Sequence, residues 1–204
     1  SGDGIVLANV AGPGGYIGQS LALGSSGAGN IVSAAGRDGI VLANVAAGGL
    51  VGQSGGVIGN QSLYNGGTGL VVTLDALAGA GPASVGQLLS VNGNRLNGNG
   101  VGVGFAVSAA DGGNYAAGGA WLMQGNTIQH NLGAGSFGVQ GSSAGQAVVM
   151  TGGGNTITSN GLLRFVIYAN EGVQAVALGN GTSGNVMTGA NLVTAVGGAF
   201  QVVV

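Results

Sequence analysis

Cysteine is absent, which excludes a disulfide scaffold and thiolate metal sites and leaves redox compartment unread. Charge is nearly absent too. Three arginines (Arg37, Arg95, Arg164) and five acids make 4% of the chain charged, beside a single histidine, with a formal net charge of −2; an ordinary globular domain has about 25% charged residues. A nucleic-acid partner requires a basic surface that three arginines cannot build. Proline occurs twice and glycine follows no three-residue period, so a collagen triple helix is excluded. Disorder requires low hydrophobicity and high net charge, and this chain is 45% hydrophobic. The opening SGDGIVLANV lacks the basic region and long apolar run of a signal peptide, so any export signal has been removed or was never present. Residues 112–163 carry no Asp, Glu, Lys or Arg, yet Gly, Asn, Gln and Ser interrupt them throughout. No run of about 20 apolar residues results, and no membrane span is expected. Nine scattered aromatics do not form the girdles of a membrane β-barrel. The chain reads as soluble.

What is abundant is glycine, 49 of 204 residues, and it is periodic. Asp3-Gly-Ile-Val-Leu-Ala-Asn-Val-Ala11 recurs as Asp38-Gly-Ile-Val-Leu-Ala-Asn-Val-Ala46, a shift of 35. Gly-Asn pairs recur with Asn30, Asn60, Asn94, Asn126, Asn155 and Asn185, at intervals of 30, 34, 32, 29 and 30. A second asparagine follows five residues later at Asn65, Asn99, Asn131 and Asn160. Between these signals lie runs of 3–6 residues rich in Val, Ile and Leu and bounded by Gly and Asn, among them Leu70-Val-Val72 and Ala147-Val-Val-Met150. That is the pattern of strands. No Gly-free stretch holds a helical apolar spacing for three turns. One repeat is therefore two apolar strands, a Gly-rich turn between them, then Gly-Asn-x-apolar and an Asn/Gly turn.

The motif Asn-x-Ile-x-x-Asn, as in Asn126-Thr-Ile-Gln-His-Asn131 and Asn155-Thr-Ile-Thr-Ser-Asn160, resembles the repeat of right-handed parallel β-helix proteins, the pectate-lyase-like superfamily. The resemblance covers nearly the whole chain. It implies an all-β, single-stranded, right-handed parallel β-helix, one domain over 1–204, of about six to seven coils of 29–35 residues. At about 4.8 Å per coil this is a rod roughly 30 Å long. In such a fold glycine and asparagine suit the corners, and equivalent asparagines stack into a hydrogen-bonded ladder. Charges repeated every coil would repel, which accounts for their scarcity.

No catalytic or metal site is expected, and no cofactor. Enzymes of this superfamily cluster acids with a basic residue, whereas Asp38 precedes a strand and Asp75 and Asp111 follow one, which puts them on different corners. Asp3 repeats Asp38, and Glu171 pairs at most with Arg164. His130 has neither a second His nor an acid nearby and reads as a turn residue. Arg37-Asp38 reads as a solvated turn. Gly100-Val-Gly-Val-Gly104 and Gly152-Gly-Gly154 lack the Lys or helix N-terminus of a phosphate loop. Thr156-Ile-Thr158 is alone, too little for an ice-binding face. Gln19, Gln53, Gln87 and Gln146, with Gln174, suggest a third row, paired internally or presented outward. Two sequons, Asn60-Gln-Ser62 and Asn180-Gly-Thr182, matter only on a eukaryotic secretory route.

Both ends are apolar and carry no evident cap: Ile5, Val6 and Leu7 at one, Phe200, Val202, Val203 and Val204 at the other. They invite either further coils of a longer solenoid or head-to-tail stacking of copies. The expected function is a secreted or cell-surface structural protein of bacterial type, a β-helical filament subunit or adhesin stalk that resembles autotransporter passengers. Its partners are itself, further coils and surface glycans; nucleic acid and membrane spans are excluded. The alternative is a carbohydrate-binding or polysaccharide-degrading β-helix, gripping sugar with outward Asn and Gln and with Tyr64, Tyr115, Trp121 and Tyr168.

Overall fold

The computed structural model describes residues 2–110, 114–140, 147–153, 155–158, 164–169, 173–177, 186–187, 192–196 and 199–203. The first coil contributes β1 (Ile5–Ala11), β2 (Tyr16–Leu23) and β3 (Ile31–Ser33). The second contributes β4 (Ile40–Ala47), β5 (Leu50–Ile58) and β6 (Gln61–Leu63). The third holds β7 (Thr68–Leu77), β8 (Ala83–Asn92) and β9 (Arg95–Asn97). The fourth holds β10 (Val101–Ala109), β11 (Tyr115–Gln124) and β12 (Thr127–Gln129). Beyond it come β13 (Gly133–Gln140), β14 (Ala147–Gly153) and β15 (Thr156–Thr158). Then follow β16 (Arg164–Ala169), β17 (Val173–Ala177) and β18 (Val186–Met187). The last are β19 (Leu192–Val196) and β20 (Ala199–Val203).

Each strand pairs in parallel with its counterpart one coil away, which makes three sheets: β1-β4-β7-β10-β13-β16-β19, β2-β5-β8-β11-β14-β17-β20 and β3-β6-β9-β12-β15-β18. The chain is an all-β parallel solenoid. Against the six to seven coils expected, about four turns are described; the strands beyond them continue the same three sheets.

Two features of the coil differ from the sequence expectation. The strands of the second sheet reach ten residues, as in Ala83–Asn92, rather than 3–6. Glycine and serine at their outward positions had looked like breaks; in a strand only alternate side chains meet the core, so they interrupt nothing. The Asn-x-apolar-x-x-Asn motif is also more than a turn. Its middle three residues are themselves a strand, and they build the third sheet.

Inward positions form one continuous core. Leu42, Leu70, Val72 and Leu74 project from the first sheet, Val85, Val91 and Trp121 from the second, and Leu96 and Ile128 from the third. Phe105 and Trp121 meet near the middle, ring centroids 4.8 Å apart and tilted by 36°. At about 25 cal/mol per Å² of apolar area buried, such side chains contribute about 1.5–3 kcal/mol each, and stacking lets every coil bury both of its faces. Register is strict because a slip by one residue would turn the inward set outward. The repeated nonapeptide pairs with itself, Ile5 opposite Ile40 through Ala11 opposite Ala46.

Candidate functional site

The polar residues of this protein converge on columns that run along the solenoid axis. At the corner before the third sheet stand Asn30, Asn60, Asn94, Asn126 and Asn155. Side-chain amides link them in sequence: Nδ2 of Asn30 donates to Oδ1 of Asn60 at 2.9 Å, Asn60 to Asn94 at 3.1 Å, Asn94 to Asn126 at 3.0 Å and Asn126 to Asn155 at 2.9 Å. The backbone N–H of each residue donates to the same Oδ1, as from Asn60 to Asn94 at 2.9 Å. The second amide hydrogen of Asn94 reaches the Val57 carbonyl at 2.7 Å, and that of Asn126 reaches Val91 at 2.8 Å. Every hydrogen-bonding valence of the Asn94 side chain is thus used at a site that excludes water. Each net bond is worth about 0.5–1.5 kcal/mol, while each one left unmade would cost about 1–3 kcal/mol. Glycine precedes these asparagines for two reasons: a Cβ on Gly29 would collide with the Gly59 carbonyl, and Gly59, Gly93 and Gly125 turn through the left-handed region with φ of 68°, 62° and 61°. Asn60 is fully buried in this column, so the sequon Asn60-Gln-Ser62 is no surface acceptor. Asn185 and the other sequon lie outside the described residues.

The corner after the third sheet repeats the device. Asn65 donates to Asn99 at 2.9 Å and Asn99 to Asn131 at 3.1 Å, while Asn99 also donates to the Ser62 carbonyl at 2.9 Å. In the first coil Ala35 holds this place and gives only its backbone N–H to Asn65 Oδ1, at 2.9 Å. Asn160 lies outside the described residues. One residue earlier the chain turns through the left-handed region at Ala34, Tyr64, Gly98 and His130, with φ of 56°, 57°, 70° and 54°. His130 is therefore a corner residue, and its Nδ1 lies 3.1 Å from Asn97 Oδ1.

A third polar column lies inside the solenoid, and half of it is not evident from sequence. Gln19, Gln53 and Gln87 face inward: Gln53 donates to Gln19, and Gln87 Nε2 donates to Gln53 Oε1 at 2.5 Å. Asn9 and Asn44 meet them from the first sheet. Asn9 Nδ2 donates to Asn44 Oδ1 at 2.7 Å and to Gln19 Oε1 at 2.8 Å, and Asn44 donates to Gln53 at 3.1 Å. The signal was present in the literal repeat, where Asn9 and Asn44 share the inward parity of Leu7 and Leu42. The row ends in the fourth coil. Gly119 takes the place of Gln87, and the indole N–H of Trp121 donates to Gln87 Oε1 at 2.6 Å. Trp121 is thus a buried core residue rather than an outward aromatic. The position in register beyond Gly119 is Val148, followed by Gln174. Gln146 itself is outside the described residues, and Gln174 keeps the row's place.

The acids are dispersed. Asp3 and Asp38 stack, and each carboxylate accepts a backbone N–H of the next coil, from Asp38 at 3.1 Å and from Thr68 at 2.6 Å. Arg37 stands at a solvated turn, its side chain 72% exposed, with Nε 3.8 Å from Asp3 of the preceding coil. Asp75 does not follow a strand; it lies within β7 and accepts from Ser108 Oγ at 2.6 Å. Leu74 and Ala76 on either side are buried, so alternation turns Asp75 outward. Asp111 and Glu171 lie outside the described residues. Among the described residues no three His, Cys, Asp or Glu side chains are grouped to hold a metal ion.

Of the apolar ends, Ile5 and Leu7 are half-buried, Val6 is exposed, and Phe200, Val202 and Val203 belong to β20, in register with Gln174, Val176 and Ala177. Val204 lies outside the described residues. On the outer face of the second sheet, Gly18, Gly52, Gly86 and Gly118 are in register. They floor a shallow groove of about 750 Å³ walled by Tyr16, Ser20, Ser54 and Leu88. Tyr64 is exposed on another corner and Tyr115 packs on the core. No helix among the described residues is long and apolar enough to cross a membrane. In comparisons with known proteins, no family model, no curated protein and no solved structure matches the chain.

Proposed function

We propose that this protein is a structural solenoid, a secreted or cell-surface filament subunit or adhesin stalk that works by stacking coils and carries no catalytic site. The observation behind this reading is the fate of its amides. Side chains that could recognise a ligand are consumed, coil after coil, in bonding one coil to the next. Such an arrangement holds length and register, and it extends as readily as coils are added. Its partners are coils of its own kind, whether more of the same solenoid or ends of other copies, meeting at Ile5, Val6 and Leu7 on one side and at Phe200, Val202 and Val203 on the other. The resemblance to the pectate-lyase-like superfamily, and to its autotransporter passengers, supports a place outside a bacterial cell. Electron microscopy of the purified chain over a concentration series tests the filament: fibres of one coil's width are expected, and dispersed single rods at every concentration would refute it.

A second reading rests on the groove over the glycine column. Its open floor, the hydroxyls of Ser20 and Ser54, and Tyr16 at its edge, 74% exposed, suit an extended glycan chain lying along the axis. A polysaccharide array with the chain and Tyr16→Ala tests it. Retention lost in the variant supports glycan binding, and release of unsaturated or reducing sugar would establish catalysis.

A further inference from the structure

We propose that Asn92 is a self-modification site, the asparagine among the described residues at which this solenoid deamidates first. It sets the lifetime of the solenoid, whatever the solenoid attaches to. The chemistry belongs to the Asn-Gly pair. The backbone nitrogen of the glycine gives its proton to solvent and attacks Cγ of the asparagine. The side-chain nitrogen takes up a proton and leaves as ammonia, and a five-membered succinimide closes. Water then adds to either ring carbonyl and opens the ring, giving aspartate or isoaspartate. Asparagine is among the thermolabile residues, and a following glycine obstructs the attack least because it has no Cβ.

Asn-Gly occurs at Asn65, Asn92, Asn97 and Asn99 among the described residues; Asn160 and Asn180 lie outside them. Three of the four are held. Asn65 accepts the Ala35 N–H at 2.9 Å and donates to Ser62 Oγ at 2.8 Å and to Asn99 Oδ1 at 2.9 Å. Asn99 accepts the Asn65 N–H at 3.0 Å and donates to Asn131 and to the Ser62 carbonyl. Asn97 is buried, with Oδ1 3.1 Å from His130 Nδ1. Turning any of these side chains onto its own glycine nitrogen breaks buried hydrogen bonds. Asn92 differs. It is the last residue of β8, and the alternation that buries Val91 turns it outward. It is half-buried, and its side chain makes no hydrogen bond among the described residues.

The four glycines divide in the same way. A Cβ on Gly66 would collide with the Gly36 carbonyl, one on Gly98 with the Tyr64 ring and one on Gly100 with the Gly66 carbonyl. Beside Gly93 there is nothing within 4 Å, so a tetrahedral carbon bonded to its nitrogen has room to form. One restraint is common to all four. The Gly93 N–H donates to the Gln124 carbonyl at 3.0 Å, and those of Gly66, Gly98 and Gly100 donate to Ala35, Gln129 and Asn65. Each bond must open before attack, which slows the reaction relative to an unfolded chain and leaves the order to the side chains and the open space.

Modification here reaches the corner column. Gly93 and Asn94 follow directly, and Asn94 ties its coil to both neighbours through Asn60, the Val57 carbonyl and Asn126. Isoaspartate routes the main chain through the former side-chain carbon, which lengthens the backbone just before this corner. Either product adds a carboxylate to a chain that has five acids.

The full chain is aged in mildly alkaline buffer, folded and in urea, and its peptic peptides are sequenced by mass spectrometry over time. In the folded chain conversion at Asn92 should run about tenfold or more ahead of that at Asn65, Asn97 and Asn99, while in urea the four should react within a few-fold of one another. Any of the other three overtaking Asn92 in the folded chain would overturn the proposal. So would a folded Asn92 that stays intact while the chain in urea converts completely. Asn92→Gln supplies a second readout, because glutamine would have to close a slower six-membered ring. The aged variant should keep the hydrogen-exchange protection of β8 and β9 that the aged natural chain loses, and equal loss in both would place the damage elsewhere and overturn the link to the corner.

Discussion

The corner asparagines and the interior amides use the same functional group to different ends. The corner column runs unbroken from Asn30 to Asn155, and Asn60, Asn94, Asn126 and Asn155 each accept a backbone N–H from the coil before. The interior set stops: Asn9 and Asn44 give way in register to Leu74 and Val107, and the glutamine row closes on Trp121. The difference is backbone. At a corner the chain leaves the sheet, its N–H loses a strand partner, and only a side-chain acceptor can replace it in a dry site. Inside a strand the ladder satisfies the backbone, so the side chain may be polar or apolar provided that its neighbours match.

That contrast can be broken in order of expected effect. Asn94→Ala removes the acceptor of the Asn60 N–H and the donor to the Val57 carbonyl. Two buried groups at about 1–3 kcal/mol each predict a loss of about 2–6 kcal/mol. Urea unfolding measures it, and hydrogen exchange should place the damage in the second to fourth coils. Gly98→Ala tests the turn beside the second column. Its φ of 70° and the Tyr64 ring over its α-carbon predict a cost of about 1–2 kcal/mol, and a loss below a few tenths would show that the corner can relax.

Asn44→Val imports the residue type found at Val107. Asn9 keeps Gln19 and Gln53 keeps Gln87 as partners, so the change should cost less than about 1.5 kcal/mol. A loss as large as that at Asn94 would erase the distinction between corner and interior. Arg37→Ala should matter least. The side chain is 72% exposed, and its pair with Asp3 is worth no more than about 0.5 kcal/mol, screened by salt.

The periodic parts were legible. Gly-Asn pairs at 29–34-residue intervals mark the corners because the same backbone problem recurs once per coil and has few solutions. Short apolar runs at that period marked strands, and the resemblance of Asn-x-Ile-x-x-Asn to parallel β-helix repeats implied the parallel solenoid. Other features were hidden for a common reason. Asn9 and Asn44 sat inside a hydrophobic nonapeptide whose asparagine looked incidental until parity set it beside Gln19 and Gln53. Trp121 read as outward because its function depends on Gly119, two residues away, which leaves space for an indole where the other coils put glutamine. Asp75 read as the residue after a strand because outward charge and strand end look alike along one chain.

By itself the sequence determined the period, the strand-rich composition and the positions where the chain must turn, since these depend on local propensity and on repetition. The tertiary structure decided which amides meet. It set Gln53 on Gln19, Asn44 beside Gln53 and the indole of Trp121 over Gln87. The physical reason is direction. A hydrogen bond needs a donor and an acceptor at about 3 Å and nearly in line, and residues about 30 positions apart acquire that alignment only when the coils are stacked in register.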